Sequence, residues 1–240
     1  MCSGSSKALM GRILPPINRA GWPFVGALAV ATLGLAAVHV HLVWVGALLT
    51  AWCAYFFRDP DRVTPTREDL IVSPADGVVQ AIERSPVPGE LAMGDVPRSR
   101  ISIFMNVFDV HVNRIPCDGV VSALKYTPGR FFNASLDKAS ALNERNSFRV
   151  TAPGGWDVVC VQIAGLIARR IRCALEVGLG VRAGERFGLI RFGSRVDVYL
   201  PEGVEALVAV GQRTVAGETV VADVRAQEPA RGGEVRAGAT

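Results

Sequence analysis

The chain has 240 residues, half of them hydrophobic, and a formal net charge of +4. That length allows one or two domains, and so mild a basic excess, with no dense basic run interleaved with aromatics, argues against a nucleic-acid partner. Five cysteines (Cys2, Cys53, Cys117, Cys160 and Cys173) form no C-x-x-C, and His111 is the only histidine outside the apolar run that holds His39 and His41, so a disulfide framework, a zinc site and a histidine-rich metal centre are all disfavoured and a reducing compartment fits better.

Residues 1–23 form a short basic lead with Lys7, Arg12 and Arg19. Phe24 to Phe57 follows with 34 residues that include no Asp, Glu, Lys or Arg. One membrane span takes roughly 20 residues, so this run is long for one span and short for two. The polar "HVH" at His39–His41 divides it, which predicts two short helices in a membrane-embedded hairpin. Arg12 and Arg19 precede the run and Arg58 and Arg62 follow it; positive flanks on both sides place both ends in the cytoplasm. A signal peptide would have a shorter core and a small-residue cleavage site, whereas this run ends in "CAYFFRDP". A buried soluble hairpin would show a polar face.

From Arg58 the character changes. "FRDPDRVTPTRED" reads as a linker, and short β-like runs follow: "LIVS" (70–73), "GVVQAI" (77–82), "RISIFMNVF" (100–108), "GVVSALKY" (119–126), "FRVTA" (148–152) and "WDVVCVQIAG" (156–165). "RFGLIRF", "RVDVYL", "EALVAV" and "ETVVADV" continue the pattern, with turn signals such as "PADG", "PCDG", "APGG" and "PEG" between the runs. Only "ASLDKASALNERN" (134–146) has a helical look. The prediction is a mostly-β domain with a little helix over 58–224, a compact sandwich or barrel. Residues 225–240 lack apolar periodicity and read as a disordered tail.

Three places in the β domain hold residues suited to chemistry. Asp76 lies in "SPADGVV", where Asp-Gly is also an ordinary turn pair. His111 lies in "FMNVFDVHVNRIPCDG"; a lone histidine is commonly structural, yet it is the side chain best suited to moving protons near neutrality. Gly193-Ser194 opens "GSRVDVYLP", whose alternation predicts a half-buried strand with Val196, Val198 and Leu200 on one side and Asp197 and Tyr199 on the other. Gly-Ser is a common turn, but serine, histidine and aspartate together make an activated nucleophile. No G-x-S-x-G elbow accompanies them.

"FFRDP", "SPADGVV", "NVFDVHVNRIPCDGVV", "NERN", "QIAGLIARRI" and "RFGSRVDVYLP" occur in this order between Phe56 and Pro201. In this the chain resembles the phosphatidylserine decarboxylases, above all the short, archaeal-type branch of that pyruvoyl-dependent family. The resemblance implies a proenzyme that cuts itself between Gly193 and Ser194 into residues 1–193 and 194–240, Ser194 becoming a covalent pyruvoyl group. It implies His111 as base, oriented by Asp76, and a Schiff base between the pyruvoyl ketone and the amine of phosphatidylserine, with phosphatidylethanolamine and carbon dioxide as products. Arg169 and Arg170 are candidates to grip the substrate phosphate or carboxylate, since arginine presents a planar fork of donors; a solvated basic patch is the alternative. Asn143 and Glu144 either orient the site or cap structure. The partners implied are the substrate, membrane lipid and the chain's own two pieces, on the cytoplasmic side of the inner membrane; the oligomeric state is open, a homodimer included.

Two departures separate the chain from the longer bacterial enzymes. Those carry Leu-Gly-Ser-Thr at the cut, where this chain has "FGSR", and a second histidine where this chain has Arg114. A division of labour between two histidines therefore does not carry over: either His111 serves both reactions, or an unassigned group or water serves one. The rival classes are a serine hydrolase using the same three residues without self-cleavage, and a non-catalytic membrane-anchored β-barrel-sandwich adaptor.

Overall fold

The computed structural model describes residues 15–36, 39–129, 143–165, 171–191, 193–226 and 228–234. The chain divides into two units, residues 1–61 and 62–240.

The first unit is a helical hairpin. Helix α1 spans Trp22–Ala36 and α2 spans Val40–Phe56. His39 caps α2, its side chain accepting from the His41 N–H at 3.3 Å. Small residues bring the helices together: a Cβ added to Gly46 would lie 2.5 Å from Thr32 Oγ1, and the Thr32 and Thr50 hydroxyls are 3.4 Å apart. Both hydroxyls also donate to backbone carbonyls of their own helix, Leu28 and Gly46, so neither is left unsatisfied in an apolar setting. Entry and exit strands meet at one end, where Asn18 N–H donates to the Phe57 carbonyl at 2.8 Å and Phe24 stacks on Phe57. The outer surface is apolar, with Val30, Leu33, Trp44 and Leu48 all at least 70% exposed. At 15 and 17 residues, neither helix is long and apolar enough to cross a membrane.

The second unit is built from antiparallel strands: β1 (Leu70–Val72), β2 (Gly77–Ser85), β3 (Arg98–Met105), β4 (Val112–Arg114), β5 (Gly119–Thr127), β6 (Arg145–Thr151), β7 (Asp157–Ala164), β8 (Ile171–Cys173), β9 (Gly180–Val181), β10 (Arg186–Ile190), β11 (Ser194–Tyr199), β12 (Arg213–Thr214) and β13 (Val220–Asp223). Eight form one sheet in the order β12-β2-β3-β11-β7-β6-β5-β9; β4-β10-β8 and β1-β13 form two smaller sheets. The main core lies on one face of the large sheet, where Ile101, Ile103, Phe148, Cys160, Val196 and Val198 meet Phe187 and Ile190 of β10. Phe148 and Phe187 meet edge-on at 4.7 Å between ring centroids, which ties the large sheet to the three-stranded one. The expected mostly-β domain is therefore observed.

Strand β11 departs from expectation. All six of its residues are buried, not only those facing the core. The β2–β3 connection folds over the other face, where Val87 and Leu91 cover Val159, Val161, Ile163 and Tyr199. Glu90, in a single 3₁₀ turn at Gly89–Leu91, clips this cover down by accepting two bonds from Arg145, at 2.7 and 3.1 Å, and one from Ser147. Two other expectations are corrected. "EALVAV" is not a strand: Ala206 and Val208 turn into the core, which creates the alternation, but no ladder forms. Of the helical reading over 134–146, residues 134–142 lie outside the described residues, and Arg145–Asn146 open strand β6.

Candidate active site

The site is built where four strands end together. Ser194, first residue of β11, is in register with Met105, last of β3, and with Ala164, last of β7. Directly opposed residues share a face, so the three side chains point toward the core. Gly77 opens β2 beside the same end of β3, so close that a Cβ there would collide with the Phe104 carbonyl. That close approach requires glycine and places Asp76 at this end of the sheet. His111 follows β3 and precedes β4, and its carbonyl accepts from the Ile190 N–H at 3.3 Å. Ile190 ends β10, from which the chain runs directly to Gly193 and Ser194. Thus Asp76, His111 and Ser194, far apart in sequence, come to one end of the large sheet.

Gly193 adopts φ +64°, and the space where a Cβ would stand is open within 4 Å. The left-handed conformation, rather than crowding, is what asks for glycine here. Ser194 is fully buried, and its Oγ has no hydrogen-bond partner among the described residues. An unsatisfied buried hydroxyl costs about 1–3 kcal/mol. Structure alone would favour alanine at this position.

His111 is also fully buried, and its Nδ1 lies 3.0 Å from the Asp109 carbonyl oxygen. A carbonyl can only accept, so Nδ1 carries the proton and the basic lone pair is on Nε2. The Asp109 carboxylate is fixed in turn, by the Asn106 N–H at 2.9 Å and by Arg213. Asp76 is held by the Ala216 N–H at 2.8 Å and by Arg62 at 2.7 Å.

Of the remaining sequence candidates, Asn143 and Glu144 border the site. Asn143 Nδ2 donates to the Ala164 carbonyl at 2.7 Å, and the Glu144 carbonyl accepts from the Ala164 N–H at 2.9 Å. Both thus brace the residue directly across from Ser194. Arg169 and Arg170 lie outside the described residues.

The sequence reading missed a chain of buried amides. Asn146 Nδ2 donates to Gln162 Oε1 at 3.1 Å, Gln162 Nε2 donates to Asn113 Oδ1 at 2.8 Å, and Asn113 Nδ2 reaches Met105 Sδ at 3.6 Å. Asn113 and Gln162 are fully buried. Three amides in an apolar core are tolerated because each satisfies the next. They come from β4, β6 and β7, and no local motif joins them. Their line ends on Met105, the register partner of Ser194.

This is an antiparallel β domain with a buried hydroxyl, an imidazole and a carboxylate brought toward one end of its large sheet. The model of the family described as phosphatidylserine decarboxylase matches residues 49–222. The chain is 62% identical over 221 residues to a protein of Paramagnetospirillum magneticum named phosphatidylserine decarboxylase proenzyme, covering 92% of each chain. It is 55% identical to a protein of that name from Cereibacter sphaeroides, over 95% of this chain and 98% of the other. A third, from Ruegeria pomeroyi, is 58% identical over 88% of this chain and 97% of its own length. The chain belongs to the phosphatidylserine decarboxylase family.

Proposed function

We propose that this chain is a proenzyme that cuts itself between Gly193 and Ser194 and then decarboxylates phosphatidylserine to phosphatidylethanolamine and carbon dioxide. The observation that carries this reading is the buried, partnerless hydroxyl of Ser194 behind a left-handed glycine. A hydroxyl with no structural use is suited to attack the neighbouring carbonyl.

In the cut, Ser194 Oγ attacks the Gly193 carbonyl carbon. His111 Nε2 takes the hydroxyl proton and returns it to the departing backbone nitrogen, which converts the amide to an ester. Elimination breaks the ester and frees the carboxyl end at Gly193. Hydrolysis then releases ammonia and leaves a pyruvoyl group at residue 194. The site fits that group: the position is fully buried, the flanking Met105 and Ala164 are uncharged, and no structural hydrogen bond is lost when the hydroxyl goes. The pyruvoyl carbonyl supplies an electron sink for the decarboxylation. In this reading His111 returns a proton to the product carbon, with Asp76 as the carboxylate that supports it.

The fold keeps the pieces together after the cut. Residues 194–240 contribute β11, hydrogen-bonded between β3 and β7, as well as β12 on β2 and β13 on β1. The new terminus is thus pinned on both sides.

The hairpin is the membrane anchor in this reading. Its helices are about 23 and 26 Å long at 1.5 Å per residue, short of a hydrocarbon core of about 30 Å. They enter from the cytoplasmic face and return to it, which leaves the β domain on that side. Their apolar outer surface supports this reading. Cysteine probes beside Arg12 and Arg62 should react with reagents from the same side of the membrane; reaction from opposite sides rules out the hairpin.

The activity is tested with purified protein and phosphatidylserine in detergent, by following carbon dioxide and phosphatidylethanolamine together. Equal release of both supports the assignment. Fatty acid or free serine as the product would point to a hydrolase instead.

A further inference from the structure

Strand order brings the buried amides close to Ser194. Strand β11 runs between β3 and β7. On the core face, Met105 of β3 stands directly opposite Ser194, and Gln162 of β7 stands opposite Val196, two residues further along. Directly opposed Cβ atoms are about 5 Å apart, and diagonal neighbours roughly 7–8 Å. Asn113, from β4 of the three-stranded sheet, accepts from Gln162 Nε2 at 2.8 Å and reaches Met105 Sδ with its own Nδ2 at 3.6 Å. Its amide therefore spans from β7 to β3, across the first residues of β11, on the face into which the Ser194 side chain points.

The fold makes room for this bridge. Gly188 is the register partner of Asn113 on β10, and a Cβ there would lie 3.2 Å from Gln162 Nε2 and 2.3 Å from the Arg172 carbonyl oxygen. The orientation of the amide is fixed as well. Asn146 Nδ2 donates to Gln162 Oε1, so Gln162 presents Nε2 to Asn113, which accepts with Oδ1. That leaves Asn113 Nδ2 aimed at Met105; the reverse orientation would set an amide oxygen against the thioether lone pairs. Nδ2 carries two N–H donors, and its acceptor among the described residues is a thioether, a weak one. Asn113 is fully buried. A leucine of similar size would fill the place without burying a poorly used donor, so packing alone does not ask for asparagine.

We propose that Asn113 is a further catalytic residue, which donates from Nδ2 to the keto oxygen at residue 194 in the matured protein. The inference rests on the pyruvoyl reading above and adds a residue to it. A fixed donor at that oxygen draws electron density from the keto carbon and favours attack there by an amine. It also selects which way the group faces, with the oxygen toward the amide and the methyl away from it. Gln162 and Asn146 act through Asn113 as positioning residues, since each holds the next amide in its orientation. The roles then divide within one short segment: His111 moves protons, and Asn113 binds the oxygen.

The experiment uses the full-length, self-cleaved protein in detergent, grown with serine carrying carbon-13 at Cα. Residue 194 alone then holds a labelled ketone, whose stretching band is read in the infrared difference spectrum against unlabelled protein. In wild type the band should lie at the lower wavenumber that N-methylpyruvamide shows in an alcohol, not at its position in an alkane. Asn113→Leu should move the band up toward the alkane position. It should also slow oxime formation with hydroxylamine, read as a mass gain on fragment 194–240, by roughly ten-fold or more. Asn146→Leu breaks the same amide chain at its far end; it should lower the melting temperature as Asn113→Leu does and yet keep the band. A wild-type band at the alkane position overturns the proposal without recourse to any variant. An unmoved band in Asn113→Leu, or an equal shift in both variants, overturns it too, and the decarboxylase reading survives each of these results. Cleaved wild-type protein with no keto band at all would overturn both.

Discussion

Arg195 and Asp197 form an ion pair on the strand that begins with Ser194, with the two residues 2% and 1% exposed. Nε lies 2.8 Å from Oδ1 and Nη2 donates to Oδ2 at 3.0 Å. Arg100 adds a longer contact to the same carboxylate at 4.0 Å and pairs with Glu83 at 3.2 Å. Burial and the charge of Asp197 hold the nearby Tyr199 hydroxyl above the usual phenol range. Replacing Asp197 by Ala leaves the Arg195 guanidinium buried without its carboxylate. Breaking a buried pair in this way costs about 3–5 kcal/mol, a large share of the 5–15 kcal/mol or so that holds a typical domain folded. For a chain of this size that corresponds to a fall in melting temperature of roughly 6–20 °C. The assay is thermal unfolding by circular dichroism in a Ser194→Ala background, which keeps every protein a single uncut chain. Arg195→Met/Asp197→Leu removes both charges and should stay within about 1–2 kcal/mol of the parent, since buried pairs replaced by apolar residues are often neutral. An Asp197→Ala protein that melts with the parent would refute the reasoning.

Three further outcomes are expected. Gly193→Ala meets no steric obstacle, but it disfavours the left-handed backbone by about 1–2 kcal/mol, so self-cleavage should slow by roughly 5–30-fold, read by gel densitometry over time. His111→Ala should slow cleavage by roughly 10²–10⁴-fold, and the protein that does mature should decarboxylate poorly per pyruvoyl group; full activity per group would confine His111 to maturation. Glu90→Gln should destabilise by about 1–2 kcal/mol at neutral pH. The hydrogen bond from Arg145 is the main cause that holds the Glu90 carboxyl below its usual range. A depressed folded pKa stabilises above the unfolded carboxylate range and ceases to do so as pH falls through the folded value. The gap between wild type and Glu90→Gln should therefore close in acid, as measured by denaturant midpoints across pH.

The strands with clear alternation were legible from sequence: β2, β3, β5, β7 and β11 stand where their apolar patterns put them. Strands β4, β8, β9 and β12 have two or three residues each, too few to carry a period. The burial of Asp197 was hidden for a different reason. A charged residue in an alternating strand reads as solvent-facing, and only the tertiary cover from Val87 and Leu91, together with the pairing to Arg195, reverses that. At the site, Ser194, His111 and Asp76 could be singled out because their residue types carry chemistry. The Asn113–Gln162–Asn146 chain could not, because ordinary amides on three strands become a network only through strand order. The one sequence cue was the polar Gln162 inside "VVCVQIAG", a run that is otherwise apolar.

The central claim is that the chain makes its own reactive group at residue 194. Intact-mass spectrometry of the purified, denatured protein tests it most directly. The prediction is two species, residues 1–193 and 194–240, the second lighter by one ammonia than the same peptide beginning with serine, with Ser194→Ala remaining a single uncut chain. A wild-type protein recovered whole, a cut elsewhere, or cleavage of Ser194→Ala at the same bond would contradict the account.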